Sequence, residues 1–493
     1  MINSPNTKLS EKLDKAIYCH NLGKFKEATR LYQELIDYEP SFPDPWNLLG
    51  VVAYQKKNYK LAKTLITTAI KLNNKAPDFY NNLGLVHTKL KNNDDARFQF
   101  EKALELDKNH INSLLNLASL YRKSGNFTDA LRLGKKAKKA DPNNVSALNN
   151  LGNTLVDCNL INEAVLTYKK AIRIDPQSGL SHWNLSLALL SIGKTAEGFA
   201  ELKWRWKWKE FPGKRRKLNK PVWSGEDLSN KTIFIYPEQG LGDAIQFVRY
   251  SSELLHLAKQ VILEVPKPLS RLVNIPNLAT KIITEGETVP TFDFHATYVD
   301  LAVIMKTSSA SIPSHVPYLK TSPYLKKKFA KLLNEYTEKK IGINWFGNEQ
   351  TPADYFRKIP IEELEPLFEM QGINWFSLQK ETQNSKCTIS KNNELIKIRS
   401  SPLEQAAGLI QELDLVITSD TAIAHLAGAL AKPVWILLHH APDWRWLTNG
   451  ATSKWYPTAL LFRQSKAGDW APVISEVRKH LNHRCMKTPV FLN

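Results

Sequence analysis

From about residue 9 to about residue 212, apolar and small residues return in register every 34 positions. Leu49, Leu83, Leu117, Leu151 and Leu185 form one comb, and each is followed by a small residue: Gly50, Gly84, Ala118, Gly152 and Ser186. Ala62, Ala96, Ala130 and Ala164 form a second comb, and Ala69, Ala103, Ala137 and Ala171 a third. Two antiparallel helices pack closely only where no bulky side chain separates their backbones, so the pattern predicts a stack of helical hairpins. Pro40, Pro142 and Pro176 fall where the second helix of a unit should end. Six units, the last degenerate, exceed the roughly three that a repeat array needs for stability, and stacking gives a concave surface suited to binding. The plain alternative is a scaffold that only orients the rest of the chain.

After Pro221 the period changes. Short β-branched and aromatic runs alternate with helical stretches: Thr232 to Tyr236, Val261 to Val265, Ile341 to Trp345, Asn374 to Leu378, Leu415 to Thr418 and Val434 to Leu438 read as buried strands. Ile245 to Leu257, Pro402 to Leu413 and Ala422 to Leu430 read as the helices between them. Strand, helix, strand is a right-handed unit of a parallel sheet. The count predicts two doubly wound α/β lobes, 213–330 and 331–485, meeting near the lysine-rich stretch from Lys320 to Lys340. Ligands of such sheets bind at the carboxyl ends of the strands.

Composition narrows the function classes. Cys19, Cys158, Cys387 and Cys485 have no paired spacing, which argues against a disulfide framework or a zinc site and for a reducing compartment. Met1 to Lys15 is polar and no apolar run reaches membrane-spanning length, so the expectation is a soluble cytoplasmic protein. A formal charge of +19 invites nucleic acid, but much of the excess lies on solvated helix faces such as Lys135, Lys136, Lys138 and Lys139, and in Lys214 to Lys217, which argues against it. Trp204, Trp206 and Trp208 alternate with Arg205 and Lys207 like a stacking platform. Helical residues two apart point to nearly opposite sides, so these rings instead predict a cap on the final repeat that joins it to the next domain.

Three segments carry candidate chemistry. In Gln239-Gly240-Leu241-Gly242-Asp243, between the first strand and its helix, Gly240 and Gly242 let the backbone approach a ligand, or simply form a tight turn. Ile245 stands where a dinucleotide fingerprint needs a third glycine, and no Lys-Ser/Thr pair makes a P-loop. Asp243 is either a favourable helix N-terminal charge or a general base at a cleft. In Ser419-Asp420-Thr421-Ala422, Ser419 or Asp420 can cap the next helix and leave N–H groups for an anion. His425, about one turn on, is a packing residue or a ligand contact. After the strand at Ile341 come Gly347 and Asn348, then Arg357 and Lys358, cations able to balance a departing diphosphate without a metal. No Asp-x-Asp or His/Asp cluster calls for a metal, and the adjacent His439 and His440 diverge.

The repeat spacing and residue types resemble the tetratricopeptide repeat. EQGLGDAIQFVRY (Glu238 to Tyr250), the Gly347-Asn348 loop with RKIP (Arg357 to Pro360), SDTAIAHLAGAL (Ser419 to Leu430), APDWRWL (Ala441 to Leu447) and WYPTALLFRQ (Trp455 to Gln464) resemble GT-B glycosyltransferases related to the ADP-heptose:lipopolysaccharide heptosyltransferases. The resemblance implies a solenoid followed by a GT-B core of two Rossmann-like lobes, the first on the acceptor side and the second on the nucleotide-sugar side. It implies sugar transfer with inversion from a nucleotide diphosphate sugar as co-substrate, with no cofactor and no obligatory metal. Asp243 matches the family's proposed base, and Asp420, Thr421 and His425 its donor-binding D-T-x-x-x-H segment. Arg357 or Lys358 matches the basic residue facing the diphosphate. Asp354-Tyr355-Phe356 departs from the expected loop. The outline is similar to the O-linked N-acetylglucosamine transferases, which also join repeats to a GT-B core. The implied partner is a protein or glycan acceptor in the repeat groove; the competing expectation is a non-catalytic adaptor on a degenerate glycosyltransferase fold.

Overall fold

The computed structural model describes residues 5–213, 215–273, 278–347, 354–380, 395–398 and 402–485. The repeat region is a run of antiparallel helix pairs, beginning Pro5–Asn21 and Phe25–Tyr38, then Pro43–Gln55 and Tyr59–Leu72, and continuing to Gly179–Ser191 and Thr195–Leu202. Pro43 and Pro77 start their helices at the first position, where proline costs no hydrogen bond. Asn58 and Asn126 cap the second helices of their pairs by accepting from the N–H groups of Leu61 and Asp129, each at 3.2 Å.

Each pair turns through one residue in the left-handed region: Gly23, Lys57, Lys91, Gly125, Asn159 and Gly193, with φ between 57° and 79°. The combs are buried as their spacing requires: Ala62, Ala96, Ala130 and Ala164 are fully inaccessible, as are Ala69, Ala103, Ala137 and Ala171. A Cβ on Gly50 would stand 2.5 Å from Ile66, and one on Gly84 would stand 2.5 Å from the Phe100 ring. The small residue is therefore the socket for a large one sixteen places later in the same hairpin.

The chain divides into two compact units. One holds the residues up to Cys158 together with Leu166–Pro176, and the other holds Asn159–Val165 and everything from Gln177 onward. Within the second unit the hairpin Gly179–Leu202 is continuous with the α/β core: Leu190, Phe199 and Leu202 share one apolar cluster with Trp223, Ile233, Ile245 and Trp444.

Two parallel sheets follow. The first contains β1 (Thr232–Tyr236), β2 (Gln260–Val265), β3 (Lys281–Thr284) and β4 (Phe294–Thr297) in the order β3-β2-β1-β4. The second contains β5 (Lys339–Asn344), β6 (Ile373–Ser377), β7 (Ile396–Lys397), β8 (Leu415–Ser419), β9 (Val434–Leu438) and β10 (Ala459–Arg463) in the order β10-β9-β8-β5-β6-β7. The order reverses beside β1 in the first sheet and between β5 and β8 in the second, and these are the positions where doubly wound sheets open a crevice. The lysine-rich stretch from Lys320 to Lys340 contains the helix Pro323–Leu333, whose Phe329 packs against Gly408 of the helix Leu403–Glu412.

The Trp-Arg-Trp segment forms a 3₁₀ turn, Lys203–Lys207, and its rings separate as helical geometry requires. Trp204 stacks on His182 at 4.1 Å, Trp206 lies under the Arg205 guanidinium at 4.5 Å, and Trp208 lies near Trp183 at 6.1 Å. Arg205 is completely buried. It donates to both Glu238 oxygens at 2.8 and 2.7 Å and to Asp300 Oδ1 at 2.6 Å. Thr297, which caps the helix Tyr298–Ile304, closes the cluster by donating to Glu238. Removing one partner of such a buried ion group leaves an uncompensated charge, so Arg205→Met should cost about 3–5 kcal/mol. Chemical denaturation of the full chain reads this as a lower midpoint; an unchanged midpoint would deny Arg205 its anchoring role.

Candidate active site at the edges of two sheets

β1 ends at Tyr236, and Pro237 and Glu238 lead into the glycine turn. Gly240 is the N-cap of the helix Leu241–Phe247, and the chain continues through a 3₁₀ turn, Val248–Tyr250, into Ser251–Leu254. The single amphipathic helix expected from Ile245 to Leu257 is thus broken. Ala244 through Tyr250 are all buried, and Arg249 Nε takes the Gln246 carbonyl at 2.9 Å, which a continuing helix would need for itself. Arg249 also donates to the carbonyls of Pro313 at 3.0 Å and Trp455 at 2.7 Å, and to the Tyr318 hydroxyl at 2.7 Å.

The turn after β8 lies against this helix. The helix cap is Thr421, not Ser419 or Asp420 as the sequence suggests: β8 runs on through Ser419, and Thr421 Oγ1 accepts from the N–H of Ile423 at 3.3 Å. Ala422 is the first residue of the helix Ala422–Ala429. The Ser419 hydroxyl is buried without a hydrogen-bond partner among the described residues. His425 comes within van der Waals distance of the glycine turn: a Cβ on Gly242 would stand 3.2 Å from His425 Cδ2. His425 Nδ1 bonds the Tyr456 hydroxyl at 2.9 Å, and its ring stacks on Trp446 with centroids 5.4 Å apart. Burial, with the nearby Arg445 adding to it, pushes its pKa down to about 3, so the imidazole is neutral at pH 7.

The other sequence candidates fall as follows. Gln239 donates to Glu238 at 3.2 Å, beneath the turn. Arg357 reaches Asp420, with Nη1 3.2 Å from its carbonyl oxygen and 3.5 Å from Oδ2. Lys358 is exposed, with Nζ 5.3 Å from the Phe346 ring centroid. Asn348 lies outside the described residues. Asp243 forms an ion pair with Arg445.

Several residues at this site carried no signal in the sequence reading. Arg445, in the loop after β9, bonds Asp243 and Gln246 on the first lobe and donates to Asp443 Oδ1 at 2.8 Å on its own. An arginine between two tryptophans reads as a core edge, yet the Asp-Trp-Arg spacing is what lets Asp443 hold the guanidinium. Asn344, the last residue of β5, accepts from Thr421 Oγ1 at 2.9 Å and from Thr418 Oγ1 at 3.2 Å. Its Nδ2 donates to Gln379 at 3.0 Å, so a polar rail fixes the carboxyl edge of the sheet. The cue available was only an Asn ending an apolar strand.

Electrostatically the site gathers three carboxylates and two guanidiniums. Burial raises the pKa of Asp243, Arg445 opposes that shift and Asp443 adds to it. Burial and Asp443 likewise raise Asp420, against Arg357. Burial would also raise Asp443, but Arg445 outweighs it and holds this carboxyl low. Among the described residues no group of three or more His, Cys, Asp or Glu side chains could hold a metal ion, and no helix is long and apolar enough to cross a membrane.

Family models agree with this layout. The tetratricopeptide repeat models match residues 76–143 and residues 20–63 and 115–179. The glycosyltransferase family 9 (heptosyltransferase) model matches residues 400–441, which hold the helix before β8, the Ser419–His425 turn and β9. The chain carries tetratricopeptide repeats, followed by an α/β region with one segment that matches the heptosyltransferase model. A curated relative, Protein FlbA of Caulobacter vibrioides, is 22% identical over 315 residues, covering 59% of this chain and 52% of that protein. The chain therefore spans about half the length of the curated relative it matches. Solved repeat proteins similar to the helical region include MamA (19% identity, 34% of this chain, 92% of that one, TM-score 0.29). Another is TTC0263 of Thermus thermophilus (16% identity, 37% of this chain, 99% of that one, TM-score 0.34).

The buried neutral histidine makes an acid prediction. Folded His425 resists protonation down to about pH 3, whereas the unfolded imidazole binds a proton below about pH 6.5. Stability should fall as pH drops from 6.5 towards 3, by about 2 kcal/mol at pH 5 from this group. His425→Gln should flatten that part of the stability curve, measured by urea unfolding between pH 7 and 4.5; an equally steep curve would assign the acid sensitivity elsewhere.

Proposed function

We propose that this chain is an inverting glycosyltransferase that moves a sugar from a nucleotide diphosphate sugar to an acceptor hydroxyl, with the helical repeats recruiting a protein or glycan acceptor. The observation that carries the reading is the close approach of the glycine turn, at Gly242, to His425, each following a strand beside the point where the order of its sheet reverses. The family 9 match over residues 400–441 supports it for the second lobe.

In this reading Asp243 takes the proton of the acceptor hydroxyl. The hydroxyl oxygen forms a bond to the anomeric carbon from the face opposite the leaving group, the bond from that carbon to the phosphate oxygen breaks, and the diphosphate departs with the electron pair. N–H groups at Thr421 and Ala422 and the Arg357 guanidinium receive its charge, and preorganised donors of this kind are worth roughly 3–4 kcal/mol each in a water-poor site. The raised pKa of Asp243 suits a base that must hold a proton briefly. The chemistry asks for neither a resident cofactor nor a metal; the N–H groups and the guanidinium named face the departing charge.

Two measurements test it. Asp243→Asn should lower sugar transfer by about 10²- to 10⁴-fold while leaving donor affinity within reach of saturation; full activity in the variant would remove Asp243 from the chemistry. Asp420→Ala should weaken nucleoside diphosphate binding by about tenfold, because Arg357 loses the carboxylate that orients it. Unaltered affinity by calorimetry would count against the donor site.

A further inference from the structure

Arg445 is a side chain that bonds carboxylates of both lobes, Asp243 and Asp443. Its Nη2 pairs with Asp243 and its Nε donates to Gln246, both on the helix after the glycine turn, while Nη1 donates to Asp443 at 2.8 Å. A guanidinium carries five N–H donors, so two remain after these bonds. Asp443 stands two residues before it and fixes its backbone as well, accepting from the Arg445 N–H at 3.0 Å. The adjacent Trp446 stacks on His425, which seats the loop beside the helix Ala422–Ala429. Arg445 and Asp420 lie close enough for each to bias the other's ionisation.

The charge balance then sets a constraint. Asp243, Asp420 and Asp443 face Arg357 and Arg445; Arg249, behind His425, is committed to Pro313, Trp455 and Tyr318, and His425 and His439 are held neutral by burial. A diphosphate brings further negative charge into this group. A guanidinium now engaged by a carboxylate offsets that charge when it turns part of its capacity toward the phosphates.

We propose that Arg445 is a shared counter-ion for which Asp243 and the donor's diphosphate compete, so that donor binding is what releases the Asp243 carboxylate to act on the acceptor. This rests on the glycosyl-transfer reading of the same site. It assigns Arg445 two roles in sequence: it restrains the base until the donor arrives, then it faces the leaving group. Once the guanidinium turns away, Asp243 loses the cation that opposes its protonation and becomes a better proton acceptor.

The test is calorimetry on the full chain with ADP, GDP, UDP and dTDP, each beside its parent nucleoside. For whichever diphosphate binds, Arg445→Gln should weaken binding by about tenfold or more and leave the nucleoside affinity unchanged. Asp243→Asn should tighten diphosphate binding severalfold, because the competitor for Arg445 is gone. In the Arg445→Gln background that gain should vanish. A gain of equal size in both backgrounds would mean simple charge repulsion and overturn the sharing. Diphosphate affinity indifferent to Arg445→Gln would overturn it too, while leaving the donor site in place. Absence of binding by all four diphosphates to the native chain would instead bring down the glycosyl-transfer reading itself. Should Arg445→Gln unfold, Arg445→Lys keeps the charge without the fork: it should lose part of the diphosphate affinity and part of the Asp243→Asn gain, and retention of both in full would again reject the proposal.

Discussion

The two turns approach each other because one residue has no side chain. Gly242 brings the first turn of its helix against the imidazole of His425, with room there for a hydrogen and tight contact for a methyl group. With that approach Asp243 pairs with Arg445. His425 can fill this place because it is neutral and held by Tyr456 and Trp446; a charged ring would demand solvation that the contact excludes.

Two buried arginines and one partly buried arginine hold the glycine turn from different sides. Arg205 lies below it, neutralising Glu238 and Asp300. Arg249 lies behind it and ties the same helix to Tyr318 and the Trp455 carbonyl. Arg445 lies in front. Apolar side chains could fill the same volumes, but they would not fix distances between specific oxygens. The bidentate fork of Arg205 on Glu238 sets the height of the residue immediately before Gln239, and so the starting point of the turn.

What could be read from the chain beforehand follows from how local the cause is. The 34-residue period, the small residues and the buried alanines are set by packing within one hairpin and its neighbour, so they stand in the sequence openly. Strands buried on both faces, such as β1 and β9, appear as unbroken apolar runs. The short strands β3 and β4 do not, because Lys281 at the start of one and His295 within the other interrupt the pattern at an edge. Of the site, the Gly-Asp and Asp-Thr turns were legible as turns from their glycines and polar residues, though the cap proved to be Thr421 because β8 runs on through Ser419. Arg445 and Asn344 were not: each acts through a partner far away in the chain, Asp243 and Thr421, and nothing in a local window distinguishes them from ordinary loop and strand residues. The Trp-Arg-Trp segment sits between these cases. Its rings were foreseeable as packing residues, whereas the destination of Arg205 depended on carboxylates 33 and 95 positions away.

The left-handed turn that recurs at Gly23, Lys57, Lys91, Gly125, Asn159 and Gly193 makes the hairpins geometrically equivalent, while only the last of them is built into the α/β core through Leu190, Phe199 and Leu202. Equivalent modules joined to one fixed anchor behave like beads on a thread knotted at a single end. Duplication or loss of whole periods among the earlier hairpins alters the length of the repeat array and preserves the register of everything after it. The same event in the sixth hairpin would cut the thread at the knot, removing the support of Arg205 and, with it, the seat of the glycine turn.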